Sequence, residues 1–404
     1  MQQSDRVFNR LTIVAALGYF VDLYDMALYN LVKKESLMAL GFAGQALIDA
    51  EISLFSWQNT GMLVGGLLWG IGGDKRGRLT VLFGSIFLYS VANIANAFVT
   101  DYYSYALCRL LAGIGLAGEL GAGITLVSES LTKEKRGYGT MMVVGFGLLG
   151  GVTAAFCSRF LDWQTNYLVG GAMGLVLLLL RIGTFEPTMF LKTKMTTVAR
   201  GNFLMLLHPP RLGKYVWCIA IGLPIWFCSG ILIAFADRLA QGSGVLGVIT
   251  IANSAVFYNL GVSSGDFLSG WLSQVFKSRR RVILGFQLAL LGIIFVYLLW
   301  PGVPQWLFYF FTWLIGLGAG YWAVFVTNAA EQFGTNIRST VSNTVPNFVR
   351  GALVPMGWVF AFLYPKVGMT YAALFIGITV SVVAIYATFQ IEETYGKDLD
   401  YVEE

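Results

Sequence analysis

From Leu11 to about Val32 the chain runs through enough apolar residues to cross a bilayer, and the pattern returns eleven more times. Crossing the hydrocarbon core takes about 20 apolar residues in a helix. Only helices or closed barrels satisfy every backbone polar group at that depth. The runs cover residues 11–32, 51–72, 79–99, 103–128, 138–160, 165–186, 214–236, 247–271, 283–300, 305–330, 339–364 and 369–390, with ends good to about three or four residues. Of the 404 residues, 56% are hydrophobic and 12% charged, where a soluble protein carries roughly 25% charged. The expected fold is an all-α integral membrane protein of twelve transmembrane helices, with the lipid bilayer as its surroundings.

Placing both termini in the cytoplasm puts 20 of the 27 Lys and Arg on the inner side. Five (Lys33, Lys34, Arg159, Arg238 and Lys366) fall outside, and Arg109 and Arg350 lie within spans. That asymmetry is what the positive-inside rule asks for. The net charge of +5 then follows from topology, and no nucleic-acid partner is read from it. The first apolar run is too long for the core of a signal peptide, so no cleavage is expected. Cys108, Cys157, Cys218 and Cys228 lie in spans at no ligand-like spacing, which gives no reason to expect a disulfide, a metal or another cofactor. His208, in the central loop, reads as a bystander. The segment 33–51 is expected to form a short surface helix. The tail from Ile391, with six acids and one lysine, is expected to be solvated and mobile.

The chain repeats itself. NTGMLVGGLLWGIGGDKRGR (59–78) returns, shifted by 200, as NLGVSSGDFLSGWLSQVFKS (259–278), so that Asn59, Gly61, Gly65 and Gly70 match Asn259, Gly261, Gly265 and Gly270. A second echo sets GIG at 113–115 against GLG at 316–318, with Glu129 preceding Arg136 as Glu331 precedes Arg338. Two six-helix halves account for both echoes: residues 1–186 and 214–390, joined by a cytoplasmic loop at 187–213 and followed by the acidic tail 391–404. Paired repeats of this kind mark secondary transporters, which bind their cargo between the halves near the midplane.

On these residues the chain resembles the major facilitator superfamily. GGDKRGR (72–78) is similar to that family's loop between spans two and three. CRLLAGIGLAGELGAGITLVSESLTKEKRG (108–137) resembles span four and its following loop in the metabolite:proton, organic acid symporter branch, and more loosely in the sugar, phosphate and aromatic-acid branches. FVDLYDMALY (20–29) and FEPTMFL (185–191) resemble the first span and the end of the sixth in those branches, and EQFGTNIRST (331–340) the equivalent loop of the second half. The resemblance implies two pseudo-symmetric bundles, alternating access, and a cavity lined by spans one and four of each half. The second copy departs from the pattern, with Gln274 and Ser278 where the first has Asp74 and Arg78. Its inner loop is therefore expected to latch through other residues, among them Lys277, Arg279, Arg280 and Arg281.

Physical reading of the polar residues assigns three groups. Asp74 and Arg78, with Glu129 and Arg136, are expected to hold the inner face of the first half, and Asp266, Glu331 and Arg338 that of the second. These seven are the gating candidates, with Glu129 tied to Arg136 and Glu331 to Arg338. Asp22 and Asp25 lie three residues apart, on one face of span one. At 1.5 Å per residue, Asp25 matches the depth of Arg109 in span four and Asp22 that of Glu119. An ionised carboxylate in hydrocarbon costs at least about 2.5 kcal/mol, so Arg109 is expected to neutralise Asp25. Glu119 and Asp22, with no evident cationic partner, are expected to carry protons. In the second half Asn343, Asn347 and Arg350 form one helical stripe. Arg350, near mid-depth, is expected to bridge to Asp22 or Glu119, or to receive a substrate carboxylate or phosphate. Trp226, Tyr258, Asn259, Trp322 and Asn328 lie at depths that allow substrate contact.

The function expected is proton-coupled symport of a small polar metabolite, an organic acid or a carboxylate-bearing zwitterion, by a monomer in a bacterial inner membrane. An exporter of drugs or a siderophore on the same fold is the nearest rival. It lacks the glycine–proline pattern in span five, where GFGLLGG (145–151) has no proline. An enzyme or a non-transporting receptor finds no nucleophile–base pair, metal constellation or nucleotide loop to support it.

Overall fold

The computed structural model describes residues 6–132, 135–182, 200–209 and 211–403. FEPTMFL and most of the central loop lie outside these ranges. The apolar runs fold as helices. Those of the first half are α1 Arg10–Ala39, α2 Gly44–Arg76, α3 Arg78–Asn96, α4 Tyr102–Leu116, α5 Glu119–Ser130, α6 Arg136–Gly147, α7 Leu149–Cys157 and α8 Trp163–Leu180. Those of the second are α9 Arg211–Phe227, α10 Ala236–Gly242, α11 Ile251–Val275, α12 Arg279–Leu299, α13 Gln305–Ala319, α14 Trp322–Glu331, α15 Arg338–Gly351, α16 Leu353–Val367 and α17 Met369–Gln390. A π-helical turn, Cys228–Ile233, continues α9 just beyond its internal Pro224. The only β-pairing among the described residues is an isolated bridge, Leu246 with Pro304.

Counted with their end-to-end continuations, ten helices among the described residues are long and apolar enough to cross a membrane. Helices α2 and α11 carry more polar side chains but run for 33 and 25 residues, and counting them gives the expected twelve. The tenth span breaks as the fourth does. Gly118 separates α4 from α5, and Gly320 separates α13 from α14.

The chain forms two compact units. The first holds Met1–Met205, Phe333–Asn347 and Asp398–Glu404; the second holds Leu206–Gln332 and Phe348–Lys397. The start of α15 and the end of the tail thus group with the first unit.

Each unit is held by the glycines of the repeat. A Cβ on Gly61 or Gly65 would strike the backbone carbonyls of Leu110 or Ile114 in α4, and one on Gly113 would strike that of Gln58 in α2. The second unit repeats the contact. Gly261 and Gly265 meet the carbonyls of Trp313 and Leu317, and Gly316 meets that of Tyr258. Small residues let membrane helices approach until their backbones touch, which supplies the packing that lipid cannot drive. On another face of α2, Gly66, Gly70 and Gly73 lie against Asn347, Thr340 and Ser339 of α15.

Two expectations fail here. No separate surface helix forms over 33–51. Helix α1 continues to Ala39 and α2 begins at Gly44, with Gly41 (φ 90°) in the turn between them. The apolar face of α1 persists that far because Leu37 is buried and the Ser36 hydroxyl meets the Tyr105 hydroxyl at 2.9 Å. Nor is the tail free. Leu399 is fully buried, and its carbonyl accepts from the Thr335 hydroxyl at 2.8 Å. The Tyr401 carbonyl accepts from the Thr335 N–H, also at 2.8 Å. Buried backbone groups of the loop before α15 need partners, and the tail backbone supplies them.

Gly65→Leu and Gly265→Leu should each cost about 1–3 kcal/mol or more by overpacking. Both should lower the melting temperature of detergent-purified protein. Gly357→Ala, where a Cβ meets nothing within 4 Å, should leave it unchanged.

Candidate functional site

Asp22, Asp25 and Glu119 lie buried in the first unit with Arg109 and Arg181. Asp25 receives Arg109 through two bonds, Nη2 to Oδ2 at 2.8 Å and Nη1 to Oδ1 at 3.4 Å; Nη1 also donates to Asn93 at 3.2 Å. The Arg109 guanidinium lies 4.9 Å from the centre of the Tyr29 ring and 5.5 Å from that of Tyr167. The aromatic faces add cation–π attraction and exclude water. The hydroxyls of Tyr167, Tyr105 and Ser36 form a chain beside the pair, with steps of 2.8 and 2.9 Å. Asp22, one turn earlier on α1, is 1% exposed.

Glu119 differs from expectation, because it has a cationic partner. Arg181, at the end of α8, donates Nη2 to Oε2 at 2.6 Å and Nη1 to Oε1 at 3.1 Å, and the Ser85 hydroxyl donates to Oε1 at 2.6 Å. The contact depends on Gly18, where a Cβ would strike both Arg181 Nη2 and Glu119 Oε2. Arg181 follows four leucines, at a place where an arginine reads as a topology marker. Its long stem instead carries the charge back to Glu119.

A second cluster lies around the loop between α2 and α3. Arg78 grips Glu129 with Nε at 3.1 Å and Nη2 at 2.9 Å, and lies 3.5 Å from Asp74. Arg338 donates to the same Glu129 at 3.0 Å and to the Leu399 carbonyl at 2.7 Å. Asp74 accepts from the backbone N–H groups of Ser339 and Thr340 and from the Thr340 hydroxyl, at 2.7–3.0 Å. It therefore places a carboxylate on the unsatisfied N–H groups and positive dipole end of α15. Arg136, the first residue of α6, is 2% exposed. The expected partnering is thus rearranged, with Glu129 held by Arg78 and Arg338.

The second unit repeats the grip one residue later than the shift of 200. Arg279 donates Nε to Glu331 at 2.7 Å and Nη2 at 3.0 Å, so Arg279, and not Arg338, is the partner of Glu331. A positive φ precedes each helix, at Gly77 (117°) immediately before α3 and at Lys277 (50°) two residues before α12. Where Asp74 has no acidic counterpart, the tail supplies one. Glu393 accepts from the Ser278 hydroxyl and from the Arg279 N–H at 2.9 Å, at the start of α12. Partial burial opposes its ionisation, yet these bonds, with those from the N–H groups of Arg280 and Tyr395, hold its carboxyl below the usual range. Asp266 is fully buried and accepts from the Ala323 N–H at 3.0 Å, in the first turn of α14.

Arg350, at the end of α15, is 7% exposed. Its guanidinium lies 5.5 Å from the centre of the Trp226 ring and 6.0 Å from that of Trp322, and these two rings meet edge to face at 6.2 Å. Tyr258 donates to the carbonyl of Ile225, next to Trp226, at 3.2 Å. The other substrate candidates have partners or surroundings of their own. Asn343 and Asn347 donate to the carbonyls of Ser339 and Asn343 within α15, in the first unit. Asn328 accepts from Thr394 of the tail at 2.9 Å, and Asn259 is exposed.

Two broken-span bundles with matching glycine contacts and buried carboxylate–arginine pairs define a transporter of the secondary-active class. The Major Facilitator Superfamily model matches residues 15–345, and the chain belongs to that family. Among relatives, it is 26% identical over 364 residues to NiaP of Bacillus subtilis (strain 168), named for niacin and nicotinamide transport, covering 85% of each chain. It is 24% identical over 339 residues to the sialic acid transporter NanX of Escherichia coli (strain K12), covering 76% of this chain and 80% of that one. Among solved structures, the Escherichia coli fucose:proton symporter FucP superposes with a TM-score of 0.78 at 15% identity, over 96% of this chain and 100% of that one. That likeness shows the fold.

Breaking a buried ion pair from one side costs about 3–5 kcal/mol, because the remaining charge is left uncompensated. Arg181→Gln should destabilise by that amount, and adding Glu119→Gln should recover much of the loss in thermal melts. Glu393, with its lowered folded value, contributes stability that is complete above the ordinary glutamate range and is lost as the pH falls through that folded value. Limited proteolysis should therefore cut the tail faster in acid than at neutral pH. In Glu393→Gln it should cut equally at both.

Proposed function

We propose that the chain is a proton-coupled symporter that imports a small polar metabolite, an organic acid or a carboxylate-bearing zwitterion, by alternating access. It works as a monomer in a bacterial inner membrane, with both termini in the cytoplasm. The observation that carries this reading is the burial of ionisable side chains along α1, α4 and α5. Among the spans of the first unit, Asp22, Asp25 and Glu119 are buried with Arg109 and Arg181. Burial away from water favours the neutral, protonated form of a carboxyl group. A proton bound there on one side of the membrane and lost on the other couples transport to the gradient.

Asp22 and Glu119 remain the proton-carrying candidates, with Asp25–Arg109 as the fixed pair beside them. In the second unit Arg350 is the residue that receives the substrate anion. Its planar donor fork suits a carboxylate, and Trp226 and Trp322 shield the contact from water. Relatives named for niacin and for sialic acid, and a structural neighbour that is a fucose:proton symporter, support the same reading.

Uptake into proteoliposomes under an imposed pH gradient, screened over organic acids, amino acids and sugars, tests it. Asp22→Asn and Glu119→Gln should keep counterflow while losing gradient-driven accumulation. Full accumulation by both would remove the proton role. Arg350→Lys should weaken carboxylate substrates by about tenfold more than uncharged analogues, and equal losses would remove the anion role.

A further inference from the structure

Three consecutive arginines open α12, and the protein uses two of them. Arg279 grips Glu331. Arg280 donates to the Phe389 carbonyl at 3.2 Å and lies 5.6 Å from the centre of that ring. The guanidinium of the exposed Arg281 makes no hydrogen bond or ion pair among the described residues, and only its backbone N–H is bound, to Ser278. It stands at the edge of a groove of about 320 Å³ between α11, α12 and α13, within the second unit. Leu272, Phe276, Gly285, Ala289 and Leu317 line the rest. Gly285 and Ala289 are one turn apart on α12, and both are exposed. A Cβ on Gly285 would meet nothing within 4 Å. The glycine is therefore not there for helix packing, unlike Gly261 and Gly265 on α11. It leaves an apolar channel open along a membrane-spanning helix, beginning at a basic residue.

We propose that this groove is a binding site for one anionic phospholipid, with an acyl chain along Gly285 and Ala289 and the phosphate on Arg281. The surroundings of a span are lipid, so an acyl chain is what an open apolar groove at this depth meets. A free guanidinium at the charged end selects the headgroup. The two requirements are separable. Length and smoothness of the groove set chain binding, and Arg281 sets preference among headgroups. The Arg281 guanidinium and Gly285 take no part in the ion pairs or the Arg350 cluster.

Native mass spectrometry of the purified full-length protein, exchanged into detergent with equal phosphatidylglycerol and phosphatidylethanolamine, tests the proposal. The expected result is one retained phospholipid, with phosphatidylglycerol favoured by about fivefold, the worth of one basic residue near a lipid phosphate. Arg281→Gln should abolish that preference while leaving total retention of lipid. Gly285→Phe should fill the channel and abolish retention, with the melting temperature and uptake of the parent protein preserved. Retention unchanged in Gly285→Phe, or a preference unchanged in Arg281→Gln, overturns the proposal. A change of oligomeric state in Gly285→Phe without loss of lipid would assign the groove to a second copy of the chain, and overturns it as well. Arg281 is exposed, so its variant folds whether or not the bulkier one does.

Discussion

A charge placed inside a membrane-spanning helix must be answered by an opposite charge close at hand, and that requirement shapes both units. In the first, Asp25 is answered by Arg109, Glu119 by Arg181, and Glu129 by Arg78 and Arg338. In the second, Glu331 is answered by Arg279. Each pair joins helices far apart in sequence, so each fixes a packing arrangement as well as a charge. Such pairs contribute little net stability by themselves. Their value lies in making wrong arrangements costly, since a displaced partner leaves a bare ion in hydrocarbon.

The duplicated architecture shows which features are geometric and which are chemical. The geometric ones survive in both units: glycines that bring α2 onto α4 and α11 onto α13, a break within the fourth and tenth spans, and an arginine gripping the glutamate that follows. The chemical ones have diverged. Gly66 of the first unit stands where Asp266 stands in the second, and Asp266 spends its carboxylate on the start of α14. Asp74 satisfies the start of α15, whereas the position of Gln274 offers no charge, and Glu393 of the tail satisfies the start of α12 instead. The tail was unreadable as a partner because its role rests on backbone carbonyls and one carboxylate, which no periodicity displays.

Much of the fold was legible because lipid imposes a simple code of apolar length and basic asymmetry. The match in depth between Asp25 and Arg109 followed from counting residues along two helices, and those two residues do meet. Arg181 escaped because its Cα lies at a span end, while its charge lies several ångströms away, beside Glu119. The Glu129–Arg338 contact escaped because the two residues are 209 positions apart, and local echo pairs each acid with the arginine that follows it. Arg350 lies beside Trp226 and Trp322, a contact that a reading of depth along separate spans does not specify.

The proposed coupling requires a buried carboxylate of the first unit to take up a proton that moves with the cargo. Its most direct test is a proton count on binding: substrate added to the purified protein in weakly buffered detergent solution, with a pH-sensitive dye as the readout. Coupling predicts that about one proton per bound substrate is exchanged with solvent, and that Asp22→Asn binds with a smaller exchange or none. Saturable binding with no proton exchanged at any pH between 5 and 8, in the range where acid-driven transport operates, would contradict it.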